Sequence, residues 1–170
     1  MCARCFMESN TNEDMVYWVN ENDDSVLIRI KGRASYLNCS ILSEFLHEKL
    51  DQGCLKYCFL FNDCTGIDST CLGVLTGLSL KLSRAGGVCI FNGLKGKPLE
   101  TVKLLGLDQL VHLVDDIFQI ENAEVCLRNS QCALNSDLIL AAHQFLMELN
   151  AQNRVRFKEV VQCLTAKKSV

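Results

Sequence analysis

An α/β fold is what this 170-residue sequence predicts: a mixed sheet of about five strands, covered mainly on one face by helices, with a helical hairpin at the C-terminal end. Three observations carry that prediction. Two short β-branched runs separated by a polar turn open the chain as a strand pair. Apolar strand-like runs then alternate with segments of helical period. Two apolar stripes at three- and four-residue steps close it.

The elements follow in order. Residues 1–14 are polar and irregular and read as a flexible leader. Residues 15–19 form a first strand, β-branched and aromatic. The turn Asn20-Glu-Asn-Asp-Asp24 leads into a second strand over residues 26–30, stopped by Gly32, and the pair reads as an antiparallel hairpin. From residue 38 to 50 the period changes. Ile41, Leu42, Phe45, Leu46 and Leu50 share one side of a helix closed by Gly53. Residues 55–62 are too uniformly apolar to have a wet side, so a central strand covered on both faces is expected. A second helix spans residues 70–84 and ends at Gly86-Gly87. Residues 88–91 give a fourth strand, and a third helix follows with Pro98 near its first turn and ends near Gly106. Residues 110–114 read as a fifth strand and 121–127 as a short helix. A hairpin followed by strand–helix units demands a mixed sheet with right-handed crossovers. Over residues 136–165, Leu138, Ala141, Ala142, Phe145, Leu146 and Leu149 form one stripe; Phe157, Val160, Val161 and Leu164 form another. Packing on the same chain is the expected fate of both stripes, with a partner or a second copy of the chain as the alternative.

Bulk properties exclude several classes. Seventeen Lys and Arg against 20 Asp and Glu leave a net charge of −3, so a nucleic-acid partner held by phosphate neutralisation is not expected. No apolar run approaches the ~20 residues that span a bilayer, and the start of the chain lacks a secretory pattern. A soluble, cytoplasmic protein is expected. Eleven cysteines, several inside apolar strands and helices, read as reduced core filler. Cys2 and Cys5 have metal-ligand spacing without a second pair or a nearby histidine, so no metal is expected.

The run Asp63-Cys-Thr-Gly-Ile-Asp-Ser-Thr-Cys-Leu-Gly-Val-Leu75 sits where a buried strand gives way to a helix, with Asp68, Ser69 and Thr70 at the helix start. This segment resembles the signature of the STAS domain, as found in bacterial anti-sigma factor antagonists. Three further pieces agree in order and spacing: Val26-Leu-Ile-Arg-Ile-Lys-Gly32, Ala85-Gly-Gly-Val-Cys-Ile-Phe-Asn92 and Leu105-Gly-Leu107. The resemblance covers about residues 15–130 and leaves 136–165 as an extension. It implies a protein-binding module, not an enzyme. It also implies a phosphoacceptor at Thr70, with Ser69 as the alternative, and a partner surface of Ser35, Asp68, Ser69, Thr70, Cys71, Gly73 and Val74. The implied partner is an anti-sigma factor or serine-kinase-type regulator, let go on phosphorylation; no cofactor is implied. Two positions depart from the family pattern. Arg33-Ala-Ser35 stands where many members carry an acidic residue, and Cys71 replaces a glycine, where a side chain could crowd the partner surface.

Helix-start chemistry suits such a switch. A Thr70 hydroxyl at the N-cap or in the first turn can accept from a free backbone amide. A phosphate there meets the positive helix end and adds roughly −1.5 to −2 charge to a contact surface. Gly73 and Gly77, four apart, permit close backbone approach, most simply in the core. Catalytic readings fail on spacing. Gly66-Ile-Asp-Ser69-Thr-Cys71 is not a nucleophile elbow, and Gly93-Leu-Lys-Gly-Lys97 is not a P-loop but a basic surface turn. His47, His112 and His143 read as structural or solvent-facing, and Asp115-Asp116 as a solvated edge. Two alternatives stay open: a constitutive scaffold subunit of a larger regulatory or lipid-transport complex without a phospho-switch, and thiol sensing through Cys64 or Cys71 at a helix start that lowers the thiol pKa. A homo-oligomer through the C-terminal hairpin is a further possibility.

Overall fold

The computed structural model describes residues 17–22, 24–116, 125–127 and 135–168. The expected leader, with Cys2 and Cys5, lies outside these residues, as do Met15 and Val16 of the expected first strand.

Among the described residues the main sheet has six strands. They are β1 (Tyr17–Asn22), β2 (Ser25–Ile30), β4 (Lys56–Leu60), β6 (Val88–Asn92), β7 (His112–Val114) and β8 (Val125–Cys126). Their order is β7-β6-β4-β2-β1-β8. β1 and β2 form the expected antiparallel hairpin, with Asn22 opposite Ser25, so β1 runs on into the polar stretch. β4, β6 and β7 add in parallel. Residues 125–126 pair antiparallel with β1. That corrects the expected helix over 121–127, whose earlier residues lie outside the described set. Val125 and Cys126 satisfy the free edge of β1, and an edge left unpaired is the stronger constraint on so short a segment.

The sheet is amphipathic, with one closed side. Tyr17 and Val19, Val26, Ile28 and Ile30, Tyr57 and Phe59, Cys89 and Phe91 are buried on it. Between them on the other side, Leu27, Arg29, Cys58 and Ile90 are only half-buried. β4 is therefore central, but it is not sealed on both sides. The alternation of period 2 wins over the apolar appearance of the run, because Cys58 tolerates a half-wet position.

Two short strands escaped sequence reading. β3 (Gly32–Ala34) and β5 (Cys64–Ile67) form a separate parallel pair just beyond the ends of β2 and β4. Gly32 N donates to the Asp63 carbonyl at 2.9 Å, which joins the two exits. This pair carries the chain from the sheet to the starts of two helices.

Among the described residues five α-helices complete the fold: α1 (Cys39–Asp51), α2 (Ser69–Ala85), α3 (Gly96–Leu105), α4 (Ser136–Leu149) and α5 (Ala151–Lys168). The first three and both arms of the C-terminal hairpin lie where the periodicity places them, to within a few residues. α2 stops at Gly86, which adopts φ 72° and so supplies the left-handed C-cap that a side chain resists. α4 lies along α2, and α5 folds back on α4. Ten consecutive residues of α2, Thr70 to Ser79, are consequently buried. A helix buried all round needs cover on two sides, and here the sheet supplies one and α4 the other.

Candidate functional site

The start of α2 is built by β3 and β5. Asp68 is the N-cap: Oδ1 accepts from Cys71 N at 2.9 Å, and Oδ2 accepts from Tyr36 N at 2.8 Å. Its own amide donates to the Ala34 carbonyl at 3.1 Å. The cap is thus Asp68 and not Thr70, because an aspartate oxygen one residue before the helix reaches the third amide better than a hydroxyl already inside the turn. Asn38 fixes the adjoining loop. Its Oδ1 accepts from Ser35 N at 2.9 Å and from Tyr17 Oη at 3.0 Å, while Nδ2 donates to the Arg33 carbonyl at 2.9 Å.

The expected partner residues come together, but most of them face inward. Asp68 and Ser69 are half-buried. Thr70 is only 4% exposed, and Ser35, Gly73 and Val74 are buried. Cys71 is fully enclosed, with Sγ 3.5 Å from Tyr17 Oη under the sheet, so its side chain does not crowd an outer surface. Two residues absent from the expectation do reach solvent beside Asp68: Tyr36 at 43% and Leu37 at 52% exposure. Their position one and two places beyond Ser35 is the sequence signal that could have found them.

Gly73 and Gly77 permit close approach, and what approaches is α4. A Cβ on Gly73 would stand 2.3 Å from the Ala142 carbonyl oxygen, and one on Gly77 would stand 2.6 Å from the Phe145 ring. One turn earlier on the same stripe, Ser69 meets His143. The imidazole Nδ1 lies 2.7 Å from the Ile139 carbonyl oxygen, which only accepts, so Nδ1 carries the proton. In the neutral ring Nε2 therefore accepts from Ser69 Oγ, at 3.1 Å. His143 is 5% exposed and its ring meets Phe157 edge-on, with centroids 5.2 Å apart. His143 is thus a contact between the hairpin and the start of α2. Nothing in its local sequence announces that, because the pairing spans 74 residues.

Beside this contact α1, α2 and α4 leave an open apolar groove of about 240 Å³. Leu46, Leu50, Leu78 and Phe145 line it, with His47 and Lys81 at its edge.

Thiol sensing loses its physical basis. Burial pushes the Cys71 thiol well above its ordinary value, with the neighbouring Cys39 adding to the shift, and burial also raises Cys64. Desolvation outweighs the helix start, so neither sulfur is a ready thiolate. Among the described residues no group of three or more His, Cys, Asp or Glu side chains is placed to hold a metal ion. No helix among them is long and apolar enough to cross a membrane.

Known proteins resemble this arrangement. The family model of the STAS domain matches residues 17–122. A putative anti-sigma factor antagonist from Thermotoga maritima superposes with a TM-score of 0.55 at 24% identity, over 59% of this chain and 87% of its own. An anti-sigma factor antagonist from Mycobacterium paratuberculosis gives 0.55 at 14% identity, over 64% and 92%. The anti-sigma factor antagonist SpoIIAA in its unphosphorylated form gives 0.52 at 16% identity, over 59% and 89%. No individual curated protein matches the chain by sequence. The residues matched by the family model end before α4.

Proposed function

The chain belongs to the STAS domain family, and from that premise we propose that it is a protein-binding regulatory module of the anti-sigma factor antagonist kind. Its partner would be an anti-sigma factor or serine-kinase-type regulator, docking at the open edge of the α2 start. The observation that carries this reading is the surface left there. Asp68 and Ser69 are half-open beside exposed Tyr36 and Leu37, and hydrogen bonds through Asp68 and Asn38 hold the loop and the helix in one geometry. An aromatic and an aliphatic side chain rimmed by fixed polar groups match the anatomy of a protein contact, an apolar centre with a polar rim.

The release step is phosphorylation in the first turn. Thr70 holds the acceptor position by resemblance, but at 4% exposure its hydroxyl is closed to a kinase in this conformation. Ser69, half-buried, is the more open of the two residues, and the switch is assigned to it in this reading. A phosphate at the first residue of α2 leaves the helix intact and adds roughly −1.5 to −2 charge to the docking edge. Weakening the complex tenfold needs only ~1.4 kcal/mol.

A second reading, the constitutive scaffold subunit, is favoured by one observation. α4 already occupies the Gly73 and Gly77 stripe, so a partner contacts only the margin of the surface the resemblance implies. Capture from lysate of the native host separates the two, with wild type, Ser69→Ala, Ser69→Asp and Thr70→Asp as baits. A regulator held by wild type and Ser69→Ala, and lost with Ser69→Asp, supports the switch. Equal capture by all four supports the scaffold.

A further inference from the structure

The contact between Ser69 and His143 joins the proposed modification site to a helix that the family match does not include. We propose that His143 reads the chemical state of Ser69: on phosphoryl transfer it takes the hydroxyl proton, pairs as imidazolium with the new phosphate, and clamps the α4–α5 hairpin over α2. This rests on the phosphorylation reading above and deepens it.

Geometry supplies each step. Ser69 Oγ donates to Nε2 at 3.1 Å, so the base is already aligned on the proton that must leave. The donor is a nucleoside triphosphate brought by a kinase. Ser69 Oγ bonds to the γ-phosphorus, the bond from that phosphorus to the β–γ bridging oxygen breaks, and the nucleoside diphosphate departs. The proton moves from Oγ to Nε2. Nδ1 keeps its own proton on the Ile139 carbonyl at 2.7 Å, so the ring can hold both without turning. A neutral acceptor becomes a charged donor facing a phosphate, which is the stronger kind of hydrogen bond.

The surroundings transmit the change to the hairpin. His143 is buried between α2 and Phe157 of α5, so both arms feel what Nε2 holds. Below it Ala142 is packed against Gly73 too closely for α4 to slide. Charged groups on these elements include Asp68 at the α2 cap, Asp137 on the first turn of α4, and Arg154 and Lys158 on α5. Asp68 is committed to the Cys71 and Tyr36 amides, and Arg154 to the Met147 carbonyl. The hairpin then acts as a cover that the modification tightens, so release of a partner and clamping of α4 are one event.

Phosphoserine placed at position 69 of the full chain tests this by hydrogen–deuterium exchange of the α4 and α5 amides, without any partner present. Exchange about tenfold slower than in the unmodified chain is expected, the factor of one charge-assisted hydrogen bond. His143→Gln, which can accept from Ser69 but cannot take a charge, should abolish that slowing. Faster exchange on phosphorylation, or equal slowing in His143→Gln, overturns the proposal. Should that variant fail to fold, imidazole nitrogen NMR of the native-His143 chain decides. Nε2 must carry a proton when Ser69 is phosphorylated and none when it is not. Failure of the capture experiment with a working clamp would count against the partner reading alone. An unchanged hairpin and ring beside a phosphoserine that releases a partner would count against the clamp alone.

Discussion

The two arms of the C-terminal hairpin carry apolar stripes of similar spacing, yet they are buried very differently. α4 places Leu140, Ala142, His143 and Leu146 out of solvent, seated on α2. α5 buries only Asn153 and Phe157. Val160 is exposed, and Val161 and Leu164 are half-buried. The lesson is that a stripe announces a helix, while the neighbour's shape decides what the stripe is worth. α2 offers α4 a groove of small residues, Ser69, Gly73 and Gly77, one every fourth position. On α5 the most enclosed residue is the polar Asn153. Its Nδ2 donates to the Leu105 and Leu146 carbonyls at 2.8 and 2.9 Å.

The sharpest way to break this contrast is at the groove. Gly73→Val sets a Cβ 2.3 Å from the Ala142 carbonyl oxygen and 2.7 Å from its Cβ. Backbone cannot yield as a flexible side chain does, so α4 must lift. The expected cost is roughly 4 kcal/mol or more, at the exceptional end for single substitutions. Urea unfolding would measure it. Exchange confined to α4 and α5 would show that the sheet survives without its outer layer. Unchanged stability would mean that α4 does not lie on Gly73 at all.

How much of this was legible in the sequence varies with the range of the interaction. The helices were readable because Leu42, Phe45 and Leu46, or Leu138 to Leu149, repeat at the period of their own backbone. Whether α4 would bury on α2 was not, although Gly73 and Gly77 marked one side of the joint. A glycine pair says that something comes close and leaves its identity open. β3, β5 and β8 were missed because two to four residues cannot display a period, and each exists through pairing with a distant segment. At the site, the resemblance put Asp68, Ser69 and Thr70 at a helix start, where they are. Which hydroxyl faces solvent depends on the rotation of α2 against the sheet and α4. The role of His143 depends on a contact 74 residues away.

Cysteines extend the comparison inward. Cys163 on α5 is exposed, whereas Cys39 and Cys89 are buried under the sheet and helices, and desolvation pushes each thiol up to about 12. The folded state holds these two protons more tightly than the unfolded chain does, where a thiol titrates near ~8.5. Their contribution to stability is therefore fully present below that value and is lost as pH rises toward about 12. Each thiol should remove roughly 1.4 kcal/mol per pH unit across that window. Urea midpoints at about pH 8 and about pH 10 check the slope, and alkylation at neutral pH should mark Cys163 well before either buried thiol. A flat profile would mean that these sulfurs are open to water.

The smallest expected effect falls on the outer side of α5. Val155 is 78% exposed, the most open large apolar side chain among the described residues, and Arg154, Arg156 and Lys158 flank it. Val155→Lys removes no buried contact and adds a helix-favouring residue, so stability should change by no more than about 0.5 kcal/mol. Measuring it at two protein concentrations makes the small number useful. If α5 is simply the outer layer of a monomer, neither the size nor the sign of the change depends on concentration. If the hairpin joins two copies of the chain, Val155 is covered in the assembly, and a lysine there desolvates a charge beside three others of the same sign. The variant would then lose stability most at high concentration, where wild type is assembled and gains from it. The contrast between the arms would also need restating: α4 buried within one chain, and α5 between two.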